Sequence, residues 1–389
     1  MLMSFTEYND IVKMSEYHRK AYAYLKRISS APRSSVFRGT MPWAVGVPSI
    51  ISMYWNESGR LPELLDAMDD CLPIYSELAS GHGAGAEIVF RAEAALARGD
   101  DVSAEVLCHK AFYRAHGAHQ LGVCLSAELV LAEIAIVRGD ADAYVSARNN
   151  IAKTAEEASQ RSVFRMGELC LGVLDLDLGM TEGLSNWLYT IEGIQKTLYT
   201  HAASYGLLFY GHLLLHEKSH ARLRGLTDHV LPLAQAMHYI LPQIYHHLYL
   251  AVADMREGHK EKATTHAKAA LRLALPDNMY LPVAKFYTEL SPVFENLHTE
   301  SEFKGIDELL ALGARYVKDV EQIRNVVKRG ESNLTPREKE VAVLAQERLS
   351  AGVIAAKLFI SVNTVNTILK NVYRKLGVAG KSDLKNRKL

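Results

Sequence analysis

Residues 94–100 read AALARGD and residues 134–140 read IAIVRGD, one helix end written twice at a forty-residue spacing. Each is followed by a second helical stretch whose alanines face one side. The same step reaches Gly59 upstream and Gly179 downstream. It then falls on the polar break HEKSHARL near Ser219, on Gly258, and on the polar break HTESEFKG near His298. Glycine at these sites suits the left-handed residue that closes a helix, and the polar residues after it start the next one. Each unit is therefore expected to be a helical hairpin. Leu, Ala and Tyr recur at helical spacing between the breaks, while β-branched alternation and Asn-Gly turns are largely absent. A hairpin leaves an apolar face that its neighbour covers, so the units should stack into a curved right-handed superhelix with a concave surface. A non-repetitive helical bundle is the competing arrangement.

The expected fold class is all-α: a solenoid of helical hairpins over residues 1–315, a helical linker over 316–333, and a small four-helix domain over 334–389. At 389 residues the chain exceeds one ordinary hydrophobic core, and 49% of it is apolar. Its formal charge is zero, yet from Glu331 onward eleven Lys and Arg stand against five Asp and Glu, a balance of +6. The remainder carries −6. A small basic domain joined to a larger acidic one is the pattern of a nucleic-acid reader attached to a module that does not bind nucleic acid. Cys71, Cys108, Cys124 and Cys170 are spaced too widely for a zinc knuckle or a redox pair, which fits a reducing cytoplasm. The first residues, with Glu7 and Asp10, do not read as a secretory signal. No apolar run reaches the length of a membrane span; the longest, Tyr205 to Leu215, is broken by Gly211 and His212. A soluble, cytoplasmic protein without membrane contact is expected.

From Leu334 the chain reads LTPREKEVAVLAQERLSAGVIAAKLFISVNTVNTILKNVYRKLGV. Thr335 with Glu338 makes a capping box, and Pro336 suits the first helical position, so a helix should run from 336 to about Gln346. Ser350 can cap a second helix through Lys357, and Ser361 a third through about Lys375 that Gly377 ends. Leu334, Val341, Leu344, Ile354, Leu358, Ile360, Val365, Leu369, Val372 and Leu376 then share one small core. The tight turn from Leu358 to Ser361 gives a helix-turn-helix, whose third helix enters the major groove of DNA. Its outward side chains are Asn363, Asn366, Thr367, Lys370 and Asn371. Asparagine suits bidentate pairing with adenine, and Lys370 can reach guanine or phosphate. Arg374, Lys375, Lys381 and the tail Lys385, Arg387 and Lys388 are placed for phosphates, which fix register without reading sequence.

The segments LTPRE, the LS before the second helix, LFIS, TV and RKLGV resemble the LuxR/NarL family of helix-turn-helix regulators along that domain's full length. The resemblance implies that Thr335, Ser361 and Thr364 join the DNA-binding set. It also implies that a fourth helix, near Ser382 to Leu389, pairs two copies as a homodimer on a palindromic site, with RNA polymerase a further partner. Several positions depart from the family pattern: Arg348 stands for Gly, Ala351, Gly352 and Val353 for an Asn-Lys-Glu-like run, Asn366 for Lys, and Ile368 often for His. Gly352 weakens the second helix by roughly 1 kcal/mol relative to Ala. Asn366 removes about one counterion-releasing contact, so lower affinity or altered specificity is expected. The helical repeats, over roughly residues 50–310, resemble in architecture the tetratricopeptide-like sensor domain of MalT-type regulators. The nucleotide-binding domain usual in such proteins is missing, since no GxxxxGK[ST] loop occurs. ATP-driven assembly is accordingly not expected, nor is any cofactor.

Eight of the sixteen histidines fall between 201 and 247, with His212, His216 and His220 stacked at steps of four. No carboxylate or cysteine sits beside them at ligand spacing, so no metal site is expected. The same window holds Tyr205, Phe209, Tyr210, Tyr239, Tyr245 and Tyr249. These are core packing or, alternatively, line the concave surface; Tyr205, Phe209, His212, Tyr245 and Tyr249 are the candidate ligand surface for a small-molecule or protein effector. No catalytic signature appears: there is no GxSxG elbow, no HExxH and no phosphate loop. A DNA-binding regulator controlled by its helical repeats is the reading that results. A protein-interaction scaffold with a degenerate helix-turn-helix is the competing one.

Overall fold

The computed structural model describes residues 11–25, 43, 47–330, 336–376 and 380–384, and these are helices and connecting turns with no strand among them. The chain divides into two compact units, Met1–Val320 and Glu321–Leu389. The first unit begins with α1 (Ile11–Leu25), α2 (Ile51–Tyr54) and α3 (Leu61–Leu78). Hairpins follow: α4 (Ala86–Ala97) with α5 (Asp101–Gly117), and α6 (Leu121–Arg138) with α7 (Ala141–Glu157). Then come α8 (Arg161–Asp177), the short α9 (Ile191–Thr197), α10 (Thr200–His216) with α11 (His220–Ala236), and α12 (Ile240–Arg256) with α13 (Lys260–Ala274). The series closes with α14 (Leu281–Ala284), α15 (Tyr287–Leu297) and α16 (Ile306–Gly330).

The repeated Arg-Gly-Asp has a residue-by-residue cause. Gly139 takes a left-handed conformation (φ +64°) that ends α6, and Asp140 then caps α7 by accepting from the Ala143 amide at 2.9 Å. Asp100 caps α5 the same way through Ser103 at 3.0 Å. Arg138 crosses to Asp101 and Glu105 of the preceding hairpin, while Arg98 donates to the Asp277 carbonyl at 3.0 Å. At the fifth step the left-handed residue is Lys218 (φ +56°), one place before Ser219, and the grid slips later: His298 is right-handed (φ −52°) and Gly305 supplies the turn before α16. After Gly179 the expected second long helix is replaced by a 3₁₀ turn, Asn186–Tyr189, and α9. Here Gly183 and Ser185 interrupt the apolar period, and Thr190 starts a new helix by accepting from Gly193 at 3.0 Å.

Successive first helices pack on one another, α4 on α6, α6 on α8, α8 on α10 and α10 on α12. Gly211 of α10 permits a close approach to α12, since a Cβ there would lie 2.8 Å from the Tyr249 ring. The inner layer then returns on itself: α12 and α14 meet α2 and α4. Asp277, 2% exposed, fastens that return. Its carboxylate accepts from Trp55 Nε1 at 2.9 Å and from the backbone amides of Gly59 and Leu61 at 2.6 and 3.0 Å. The Ile240 amide donates to the Trp55 carbonyl at 3.1 Å, and Ser58 Oγ to the Leu273 carbonyl at 2.7 Å. Glu93 of α4 holds the start of α2 through the Ile51 amide at 2.8 Å. In place of an open concave groove, hydrogen bonds spanning more than two hundred residues join the segment between α2 and α3 to the end of α13 and the turn after it.

The expected linker 316–333 lies within α16 up to Gly330, and Tyr316, Val320 and Ile323 are buried. The boundary between the two compact units falls inside this one helix. Among the described residues no single helix is long and apolar enough to cross a membrane.

Candidate nucleic-acid interface and central chamber

The second unit is built from α17 (Pro336–Gln346), α18 (Ala351–Leu358), α19 (Val362–Leu376) and α20 (Lys381–Leu384). Its core is Val341, Ala342, Ala345, Ile354, Ala355, Val365, Leu369, Val372 and Leu384, with Leu344, Leu358 and Ile360 packed against it. The residues expected there from sequence are thus brought together, except Leu334 and the Leu376 side chain, which lie outside the described residues. α17 ends with Arg348 in a left-handed conformation (φ +66°), and the Leu349 amide reaches back to the Leu344 carbonyl. Arg348 is one of the departures noted from the sequence, and its Cβ carries a steric cost in the left-handed conformation that glycine avoids.

Ser350 caps α18 by accepting from the Val353 amide at 3.3 Å. α18 stops at Phe359, left-handed at φ +54° and 95% exposed, with the Ile360 amide bonded to the Ala355 carbonyl. Arg337 Nη2 donates to the Leu358 carbonyl at 2.8 Å and so ties the start of α17 to this turn. Ser361 then caps α19, accepting from the Thr364 amide at 3.0 Å and pairing with its hydroxyl at 2.8 Å. The two helices are bent by 108° at the turn, within the range of a helix-turn-helix.

α19 buries Val365, Leu369 and Val372 and exposes Asn363, Thr364, Asn366, Thr367 and Lys370, with Asn371 half-buried at the edge. The Thr367 hydroxyl donates to the Asn363 carbonyl at 3.0 Å, which leaves its oxygen lone pairs toward solvent. Ser361 and Thr364 are engaged with each other. Lys381 Nζ donates to the Leu349 carbonyl at 2.6 Å, and Gln346 Nε2 to the Leu384 carbonyl at 2.9 Å, so both residues fasten α20 to the end of α17. A phosphate contact by Lys381 has to exchange that bond. Thr335, the side chains of Arg374 and Lys375, and the tail Lys385, Arg387 and Lys388 lie outside the described residues. Gly352 is exposed, with only the Ser350 hydroxyl within 4 Å of where a Cβ would lie, at 3.9 Å, so the first turn of α18 carries no side chain at this position.

In the first unit, Tyr205, Phe209, His212, Tyr245 and Tyr249 do come together. With Asp177 and Lys285 they line a cavity of about 30 Å³, and Tyr205, Tyr245 and Lys285 also line a neighbouring one of about 60 Å³. Tyr249 is a packing hub: its hydroxyl donates to the Leu208 carbonyl at 3.0 Å and its ring meets those of His212, Tyr245 and Phe286. His212 faces this chamber, His216 is exposed, and His220 bonds Glu257 at 2.9 Å, so the three stacked histidines do not converge. Burial holds His212 neutral, down to about 3, helped by the nearby Lys285 charge.

Sequence reasoning missed the charges at the centre. Lys285 Nζ lies 2.6 Å from Glu133 Oε1 and 2.8 Å from Asp177 Oδ2, all three side chains at least four-fifths buried. Burial works against the ammonium, and Asp177 and Glu133 overcome it and hold the lysine charged. Glu93 is pushed up to about 8 by burial, against the pull of its bonds to Ile51 and Ser49. The available signal was each charge inside an apolar run, as in LVLAEIAIV around Glu133 and LPVAKF around Lys285. Their separation by 152 and 108 residues hid the meeting.

Residues 332–386 match the family described as bacterial regulatory proteins, luxR family. Two proteins named as HTH-type transcriptional regulators, from Mycobacterium bovis and Mycobacterium tuberculosis, are each 48% identical over 56 residues. That stretch is 14% of this chain and 6% of either relative, so the chain matches only a small part of their length. No solved structure matches the chain.

Proposed function

We propose that the protein is a DNA-binding transcriptional regulator whose helical-repeat unit controls a C-terminal LuxR-type helix-turn-helix. The single observation that carries this reading is the exposed polar face of α19, set on a capped, 108° helix-turn-helix inside a segment that matches the luxR family. α19 lies in the major groove, where Asn363, Asn366, Thr367, Lys370 and Asn371 meet base edges. Thr335, Ser361, Thr364, Arg374, Lys375 and Lys381 fix its register on phosphates. Two copies pair through α20 on a palindromic site, and contact with RNA polymerase follows from such a placement. The repeats act as a sensor of the MalT type without its nucleotide-binding domain, in a cytoplasmic protein with no catalytic role. Support for the sensing half is the chamber lined by charged and aromatic side chains, together with α16, which carries Tyr316 within electrostatic reach of Lys285 and runs on to Gly330.

The test is a mobility-shift titration on DNA selected from random sequence by the full chain. Alanine at Asn363, Asn366, Thr367 and Lys370 together should abolish the specific shift. Log K should fall with log salt at about −0.9 per phosphate neutralised. A flat salt dependence, or unchanged binding by the quadruple variant, would leave an interaction scaffold as the function.

A further inference from the structure

The two cavities share Tyr205, Tyr245 and Lys285 in their walls and are adjacent parts of one chamber region in the first unit. Its lining carries three carboxyl side chains, Glu93, Glu133 and Asp177, and one cation, Lys285. Lys285 is shared between Glu133 and Asp177, and the neutral His212 lies with its Nδ1 3.8 Å from Asp177 Oδ1, so the triad sets two carboxyl groups against one cation. A buried unbalanced carboxylate attracts a cation and repels an anion. Aromatic faces beside it, here Tyr205 and Tyr245, add to that preference. The same lining includes the apolar side chains Leu96, Leu129, Met279 and Leu281. Size narrows the class further. A cavity of about 60 Å³, at about 10–15 Å³ per water-sized position, holds roughly four to six non-hydrogen atoms. A sugar ring or a nucleotide is too large.

We infer that the chamber of the helical-repeat unit binds a small alkylammonium ion, its charged end between Glu93 and Glu133 and its alkyl chain against the Leu96, Leu129 and Met279 wall. This rests on the sensing half of the function proposed above and names the class of effector. Glu93 shares the chamber with Glu133 of α6, Tyr205 of α10, Tyr245 of α12 and Lys285 beside α14, and Cys108 of α5 lies near it. Because burial keeps Glu93 protonated at neutral pH, the step is a balanced exchange. The carboxyl gives up its proton to solvent, and the resulting carboxylate pairs with the incoming ammonium. Binding therefore releases up to one proton near pH 7 and none well above pH 8.

Calorimetric titration of the full chain tests this with methyl-, ethyl-, propyl- and butylammonium chloride against acetate, butyrate and 1-butanol. The expected result is saturable one-to-one binding of the ammonium ions alone, tightening with chain length to a Kd no lower than on the order of 10 µM. Repeating it at pH 7 in buffers of different ionisation enthalpy should show the released proton. Ala97→Leu, which fills the chamber from the end of α4, and Glu93→Gln, whose amide oxygen still accepts from Ile51, should each weaken binding at least tenfold. Circular dichroism of each variant checks that it remains folded. Absence of heat at ligand concentrations on the order of 10 mM, equal binding of butanol or butyrate, or unchanged binding by folded Ala97→Leu each overturns the inference. Because no DNA is present, such a failure leaves the DNA-binding reading intact, and a failure to bind DNA leaves the titration result standing.

Discussion

Replacing Asp277 by alanine should open the closure of the helical repeats. The carboxylate accepts three hydrogen bonds, from Trp55 Nε1, the Gly59 amide and the Leu61 amide, and two of them are buried. A hydrogen bond to a charged acceptor contributes about 1.5–3 kcal/mol, and an orphaned buried donor costs about 1–3 kcal/mol. The Gly59 amide is part-buried and recovers much of its loss from water, so the two buried donors dominate. A total of about 3–5 kcal/mol follows. At about 2.1 cal/mol/K of unfolding entropy per residue, a unit of this size loses roughly 5–7 °C in Tm. Asp277→Asn keeps one acceptor oxygen, but its amide group opposes at least one donor, so it should fall between the two. Thermal melting gives the magnitude, and hydrogen exchange at Gly59, Leu61 and Ile240 gives the place, with protection lost there before it is lost in α6 and α7. A melt within 1 °C of the parent (against the roughly 5–7 °C expected), with those amides unchanged, would refute the idea that Asp277 fastens the ends together.

Lys285→Met leaves Glu133 and Asp177 facing each other without a cation and should cost about 3–5 kcal/mol, read from denaturant unfolding; a loss below about 1 kcal/mol would mean the triad is hydrated rather than buried. Ser350→Ala removes the cap of α18 and should destabilise the C-terminal unit by about 1 kcal/mol in the same assay. Stability should also depend on pH with a sign that changes. Glu93 and Glu128 are held above the usual carboxylate range, at about 8 and about 7, so between about 4.5 and those values the folded state binds the extra protons and stability falls as pH rises. His212, His246 and His247 are held down to about 3, 4 and 4, so between those values and 6.5 the unfolded state binds the extra protons and stability rises with pH. A maximum near pH 6.5 is expected in a Tm series, and Glu93→Gln should reduce the decline from there to pH 8.

The helical-hairpin architecture was legible because it rests on local chemistry repeated at a fixed step: a left-handed residue, an aspartate cap and an apolar face. Caps at Ser350 and Ser361 and the core around Val365 and Leu369 were legible for the same reason. Closure was not, since Asp277 sits in LALPDNMY with nothing local to distinguish a surface turn from a buried fastening across 222 residues. The replacement of a long helix by a loop after Gly179 was missed because regular spacing was extrapolated past Gly183 and Gly193. Of the candidate ligand surface, the aromatic half was visible as a composition bias in one window. Its ionisable half, Glu93, Glu133, Asp177 and Lys285, came from four distant segments that share no local pattern.

The most direct test of the central claim is selection of DNA from a random pool by the full chain, followed by footprinting at low and moderate salt. Recovery of a short palindrome, protected over the major groove and lost when Asn363, Asn366, Thr367 and Lys370 are changed to alanine, is the predicted result. Failure to enrich any sequence, both with the full chain and with residues 331–389 alone, would contradict it.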